Sequence, residues 1–161
     1  MIFVSVGTQK FPFNRLLEKL DDLVRDGCIE DKIFAQIGLS DYKPQHYEYV
    51  DYLGKDDFDE NLRQCDLVIT HSGVATIVAA LKRGKPVLVV PRLARYGEHV
   101  DDHQVEIADT FSEQNYVLKY QDGDDFCEMI EQARHHQFAK YISKREAVVQ
   151  TIRDYMRENF E

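Results

Sequence analysis

The chain has no tryptophan, three cysteines and four prolines, and fewer basic than acidic side chains, 20 Lys and Arg against 29 Asp and Glu. It has no apolar run long enough to cross a bilayer. The shortage of positive charge, a net −9, excludes a general nucleic-acid binder, which needs a basic face. It also disfavours docking on anionic lipid outside local basic spots such as Lys82-Arg83-Lys85. Cys28, Cys65 and Cys127 are widely spaced and odd in number, so neither a disulfide framework nor a zinc knuckle is expected, and a reducing cytoplasm is the default. The start, Met1-Ile2-Phe3-Val4-Ser5-Val6-Gly7-Thr8, carries no basic leader. The expected location is cytoplasmic unless a partner holds the chain elsewhere. Neither GxGxxG nor GxxxxGK[ST] occurs, which excludes a dinucleotide fingerprint and a Walker loop.

What is present is an ordinary globular composition, 43% hydrophobic and 30% charged, in 161 residues that fit a single domain spanning 1–161. Short apolar runs predict strands at Ile2–Val6, Ile33–Ile37, Leu67–Thr70, Val87–Val90 and Val117–Tyr120, and the weakly alternating stretch Tyr47–Tyr52 is a further strand candidate. Apolar residues at helical spacing predict helices over Phe13–Arg25, Phe58–Gln64, Ala75–Lys82 and Asp101–Gln114, with Gly27 and Gly84 placed to end two of them. From Phe126 to about 159 the pattern is helical, with Phe138, Tyr141, Ile142, Val148, Val149, Ile152, Tyr155 and Met156 on one stripe. That stripe reads as core or partner surface, because its other face is dense with Lys, Arg and Glu. Strands that alternate with helices and lack polar alternation argue for a parallel sheet covered on both faces. In such a sheet ligands bind beyond the strand C-termini, so the loops at Gly7-Thr8, His71-Ser72-Gly73 and Pro91-Arg92 are expected on one edge.

Those loops carry the candidate chemistry. Gly7-Thr8-Gln9 is a glycine turn suited to close approach of a phosphate or sugar, or a plain strand-to-helix turn. His71, Ser72, Gly73 and Thr76 offer two hydroxyls, an imidazole and free helix-start amides; Ser72 alone is explained by capping, the flanking His and Gly are not. His99 and His103 are four apart, beside Asp101 and Asp102, but the HExxH order and a third ligand are missing, so no metal is expected. Sugar hydroxyls suit Asp101, Asp102, His103 and Gln104 better, since carboxylates and amides hydrogen-bond them well. The plainer reading of Glu98–Gln104 is a solvated helix start. His135-His136 reads as surface.

Taken together, T-H-S-G-x-x-T, G-K-P-V-L-V-V-P and D-H-Q-x-E-I-A resemble the C-terminal, donor-binding half of glycosyltransferase family 28. The start V-S-V-G-T and the segment P-R-L-A-R-Y-G-E-H-V-D-D-H-Q are similar to the small subunit of split glycosyltransferases in bacterial capsule and exopolysaccharide synthesis. The catalytic subunit of the dolichol-linked N-acetylglucosaminyltransferase is a relative of that group. The resemblance implies a Rossmann-like α/β domain equivalent to the C-terminal half of a GT-B glycosyltransferase, binding a UDP-sugar at its strand C-termini. By the same resemblance Gly7 and Thr8 lie near the diphosphate or the domain cleft, while His71, Ser72, Gly73 and Thr76 hold the diphosphate. Asp102, His103 and Gln104 read the sugar hydroxyls, Pro91 and Arg92 shape the pocket wall, and the uracil rests around Tyr52 to Lys55. The chain departs from the family at Ala79, where a glutamate often grips the ribose. No metal is implied. A membrane-anchored partner resembling a GT-B N-terminal domain is expected to supply the general base, the binding site for a lipid-linked sugar acceptor and recruitment to the inner face of the membrane. His99 is the second choice for a base from within the chain. Galactose or glucuronate is the expected sugar. Two other readings compete: a non-catalytic nucleotide-sugar-binding or scaffold subunit, favoured by Ala79, and a flavodoxin-like module, which leaves the H-S-G and D-H-Q motifs unexplained.

Overall fold

The computed structural model describes residues 1–160. Its strands are β1 (Ile2–Ser5), β2 (Ile33–Gln36), β3 (Glu48–Val50), β4 (Leu67–Thr70), β5 (Val87–Val89) and β6 (Leu118–Lys119). Its helices are α1 (Asn14–Arg25), α2 (Lys55–Gln64), α3 (Val74–Lys82), α4 (His103–Glu113), α5 (Phe126–His135) and α6 (Lys144–Phe160). The six strands form one sheet of order β3-β2-β1-β4-β5-β6, and every pairing is parallel. Helical crossovers cover both faces of the sheet, and the central strands are accordingly buried and apolar except for Ser5 and Thr70 at their ends, while β2 reaches β3 through a non-helical connection.

Strand alternation divides the core into two layers. Ile2, Val4, Ile33, Ile69 and Leu88 face α1 and α5, packing with Leu16, Leu17, Leu20, Phe126 and Ile130. Phe3, Val68, Val87 and Val89 face the other way, with Leu62, Ile77, Leu81 and Ala108 from α2, α3 and α4. Phe3 meets Phe58 edge-on, with ring centroids 5.2 Å apart. One polar residue of α1 is inside: Asp21 accepts hydrogen bonds from Tyr42 Oη (2.6 Å) and the backbone N–H groups of Gln45 and His46 (2.9 and 2.8 Å). These donors hold its carboxyl below the usual carboxylate range against the opposing effect of burial, and they pin the β2–β3 connection to α1.

Four expectations are corrected. The helical pattern from Phe126 is not continuous: α5 stops at His135 and a non-helical connection carries Phe138, Tyr141 and Ile142 before α6 begins. Tyr141 packs edge-on against Tyr116, centroids 5.3 Å apart, and α6 starts at a reciprocal cap between Ser143 and Glu146 (both bonds 3.1 Å). Ile142, Val148, Val149, Ile152 and Met156 are exposed; the side chain of Tyr155, the remaining member of that stripe, lies outside the described ones, as does Glu161. Helix α2 starts at Lys55, a turn before Phe58, with Gly54 as its N-cap. Helix α4 starts at His103, because the Asp102 carboxylate is occupied by the Ala94 N–H (2.9 Å) and Asp101 by the His103 N–H (3.0 Å). Finally, Cys28 and Cys127, 99 residues apart in sequence, are brought together with Cα atoms 6.5 Å apart, within the reach of a disulfide. Cys65 is free and buried.

Candidate functional site

The strand order reverses between β1 and β4, and the loops leaving these neighbours diverge to open a crevice at the carboxyl edge of the sheet. His71 stands at the floor of that crevice, 5% exposed. Its ring occupies space that two glycines leave free. A Cβ on Gly73 would lie 2.5 Å from Cε1 and Nε2 of the imidazole, and a Cβ on Gly7 would overlap Nε2 and lie 2.8 Å from Cε1. Gly7 also has φ +75°, in the left-handed region that favours glycine.

Helix α4 holds this floor from behind. Gln104 is buried; its Oε1 accepts from the Ser72 N–H (3.3 Å) and the Arg92 N–H (3.0 Å), and its Nε2 lies 3.2 Å from His71 Nδ1. Burial, with the charge of Arg92 and then His99, pushes the imidazole down to about 3 from its ordinary 6.5, and the Gln104 hydrogen bond opposes them. The ring is therefore neutral at physiological pH. An unfolded chain binds a proton at this histidine near pH 6.5 while the folded one does not, so stability is full above that value and falls as pH drops towards 3. Buried carboxylates enter only lower in that range. Between about pH 6.5 and 4.5, urea unfolding is expected to lose stability at up to about 1.4 kcal/mol per pH unit, a slope that His71→Asn removes. An unchanged slope in the variant would overturn this assignment.

Beside His71 the start of α3 has no side-chain cap, and its first intrahelical bond runs from the Ile77 N–H to the Gly73 carbonyl (3.0 Å). The N–H groups ahead of Ile77 are thus open to an anion in the cleft. That cleft, about 400 Å³, is lined by Gly7, Thr8, His71, Gly73 and Thr76 at one end and by Leu53, Lys55 and Phe58 at the other. Of the Tyr52–Lys55 stretch expected to meet the uracil, Leu53 and Lys55 line this cleft and Tyr52 does not. The Ser72 hydroxyl is buried without a partner. A larger cleft of about 560 Å³ lies between α1 and the β6–α5 turn, where Arg15 pairs with Glu98 and Asp122, and Asp122 also with Arg95.

Other predicted site residues are placed differently. Arg92 is not a wall of the cleft but a buried clamp, 1% exposed. Its guanidinium donates to the carbonyls of Phe11 (2.8 Å), Val6 (2.5 Å), Glu98 (3.2 Å) and Pro12 (3.4 Å) and stacks 4.9 Å over Phe13. Pro91 is also buried and gives its carbonyl to Arg15. Asp102 caps the strap 94–102 through Ala94, and His103 is exposed beside Glu106; neither lines the cleft. His99 precedes α4 and does not share a helix face with His103; its ring lies 6.0 Å from that of Phe11, with Nδ1 3.1 Å from Asp101. Among the described residues no three His, Cys, Asp or Glu side chains gather as a metal site. Ala79 packs with the α2–α4 core layer. Two contributors were missed by sequence: Gln36, which fixes the far end of the cleft through the Leu53 N–H (2.8 Å), and Glu98, which holds the strap through Arg15 and the Leu93 N–H.

A doubly covered parallel sheet with its crevice at the strand reversal is a Rossmann-like α/β fold, the architecture of the C-terminal half of GT-B glycosyltransferases. The chain belongs to the glycosyltransferase family 28 C-terminal domain, which matches residues 1–158. It is similar to the UDP-N-acetylglucosamine transferase subunit ALG13 of Mus musculus, 27% identical over 128 residues, which cover 72% of this chain and 10% of the relative. It is similar also to the subunit of the same name from Yarrowia lipolytica, 30% identical over 100 residues, 60% of this chain and 48% of that one. The chain thus spans about a tenth of the mouse relative and about half of the yeast one. Among solved structures, the glycosyltransferase of kitacinnamycin superimposes with a TM-score of 0.60 at 19% identity, covering 83% of this chain and 33% of that one. MurG of Acinetobacter baumannii gives 0.52 at 19% identity, covering 94% and 49%. At these identities the fold is what is shared.

Proposed function

We propose that this chain is the donor-binding, catalytic subunit of a two-chain inverting glycosyltransferase that moves a hexose from a UDP-sugar to a lipid-linked acceptor. The observation that carries this reading is the single cleft joining the uncapped start of α3, His71, Thr8 and Thr76 to the Leu53–Phe58 loop. A diphosphate against α3 meets open amides, a hydroxyl and a neutral imidazole, and a base at the far end meets Phe58 and Lys55. As the glycosidic bond breaks, charge grows on the leaving diphosphate, and preorganised donors stabilise that charge most strongly in the transition state. These groups do the work of a cation, so transfer is expected to persist in chelator.

A general base must still take the acceptor proton, and none of the groups lining the cleft is suited to it: Asp59 is paired with Arg83 and His71 is a donor-side group. The base is therefore assigned to a partner that covers the carboxyl edge and binds the acceptor at the inner face of the membrane, with His99 the candidate from this chain. Exposed Leu39, Tyr52, Val74, Tyr96 and Val100 all stand on strand-end loops or the first turn of α3 around that edge, which supports such a cover. The word subunit in the relatives' names accords with it. Resemblance to the capsule and exopolysaccharide enzymes favours galactose or glucuronate; the relatives' names carry N-acetylglucosamine. A second reading, a non-catalytic nucleotide-sugar-binding or scaffold subunit, is favoured by Ala79.

Calorimetric titration of the chain, alone and with a membrane-anchored partner resembling a GT-B N-terminal domain, against UDP-galactose, UDP-glucuronate and UDP-N-acetylglucosamine, with transfer assayed in parallel, tests both. Binding by the chain alone and transfer only by the pair is the expected result. Binding without transfer in the pair selects the second reading, and no binding in either form sinks both.

A further inference from the structure

We infer that Gln104 is a positioning residue, which fixes His71 as the Nε2-protonated tautomer and aims that N–H into the strand-end cleft as a donor to a diphosphate oxygen. The inference rests on the reading of this cleft as a diphosphate site. It starts from an amide whose orientation is set by its neighbours. Two backbone N–H groups, those of Ser72 and Arg92, point at one end of the Gln104 side chain at 3.3 and 3.0 Å. Only the oxygen can accept them, so the NH2 group is the end that faces His71 Nδ1 at 3.2 Å. An NH2 donor needs a lone pair opposite it. Nδ1 is therefore bare, and a neutral imidazole then carries its proton on Nε2. The other tautomer would set two donors against each other inside the protein.

The free N–H points where a ligand can reach it. Nε2 and Cε1 are the ring atoms that occupy the Cβ space of Gly7 and Gly73, and those two glycines line the cleft together with His71. The charges around the ring are Arg92 and His99 from the loop after β5, with Lys55 and Asp59 from α2 along the same cleft. The carboxylate of Glu98 is engaged by Arg15 and the Leu93 N–H. Arg92 and His99 both disfavour a second proton on the imidazole, so its hydrogen-bonding pattern is constant across the neutral range. Gln104 thus serves the ligand through His71.

Gln104→Glu separates this role from plain structural support. A carboxylate still accepts from Ser72 and Arg92, but it presents only lone pairs to Nδ1, so the ring must turn its proton inward and show a bare Nε2 to the phosphate. Two measurements on the full chain decide the matter: long-range 1H–15N spectra of histidine-labelled protein, which identify the protonated ring nitrogen, and titrations with UDP-galactose, whose phosphates do not change charge between about pH 5.5 and 8 while a histidine does. The wild type is expected to show His71 protonated on Nε2, with affinity flat over that range. Gln104→Glu is expected to show Nδ1 protonation at pH 8 and an affinity about tenfold or more weaker. That affinity returns on acidification, when the ring takes a second proton on Nε2, and loss of packing alone would not produce such a recovery.

A wild-type ring protonated on Nδ1 overturns the inference, as does a Gln104→Glu variant with unchanged tautomer and affinity. Should the variant fail to fold, the wild-type spectrum alone decides. Nε2 protonation in a wild type that binds no UDP-galactose upholds the positioning of His71 and instead removes the diphosphate reading.

Discussion

Arg92→Met is expected to destabilise the domain by about 3–5 kcal/mol, read as a lower urea midpoint at unchanged m-value. Methionine fills similar volume, so a cavity is not the cause. The cause is the set of carbonyls at Val6, Phe11, Pro12 and Glu98, which share one guanidinium as donor and have a methyl group in its place after the substitution. A buried acceptor left unmatched costs about 1–3 kcal/mol, and the stacking on Phe13 is lost as well. The arginine is itself an expensive group to bury: its Nε has no partner, and burial, partly offset by Glu98, pulls its pKa down to about 10. The net effect is therefore well below the sum of the single bonds. Arg92→Lys is expected to recover only a fraction, because one ammonium cannot span the four carbonyls. A loss under about 1 kcal/mol in Arg92→Met would show that the clamp is incidental.

The second large effect is on binding. Gly73→Ala places a methyl 2.5 Å from two atoms of the His71 ring, and the ring cannot retreat, since Gly7 closes its other side and Gln104 holds Nδ1. It must swing into the cleft, where it blocks the space in front of α3. UDP-sugar affinity is expected to fall by about two orders of magnitude, that is about 2.7 kcal/mol, with a smaller loss of folding stability. A double-mutant cycle identifies the cause: in a His71→Ala background the extra methyl has nothing to strike, so Gly73→Ala then changes stability and affinity little. Additive losses in the cycle would refute the clash.

Much of this arrangement was legible in the sequence. All six strands fall within the stretches that predict them, most clearly the central β1, β4 and β5, because a parallel strand buried on both faces leaves a nearly uninterrupted apolar signature. The three loops named from strand ends do meet at one edge, since parallel strands send all their C-termini the same way. What failed did so for identifiable reasons. Apolar spacing over residues 126–156 cannot reveal a break that leaves the spacing intact; the Ser143-x-x-Glu146 cap, however, was readable as a helix start. Cys28 and Cys127 meet only through packing of α1 against α5, which no local pattern encodes. The largest misreading concerns polar residues. In Glu98–Gln104 every side chain but Val100 is polar, so the segment reads as solvated, yet Glu98 and Gln104 are buried. Their partners lie 5 to 83 residues away, at Leu93, Ser72, Arg92 and Arg15. The motif letters pointed to the carboxyl edge of the sheet, but which of them line the cleft and which hold the others in place depended on three-dimensional contacts.

The Arg92 clamp also has a mechanical side. One planar group grips the end of β1, the Phe11–Pro12 turn and the Glu98 carbonyl, while the Arg92 backbone N–H is held by the same glutamine that holds Ser72 and His71. The loops after the first, fourth and fifth strands therefore have no independent hinge at this point. A ligand or a covering subunit that shifts one of them drags the other two, so the crevice between them keeps its shape.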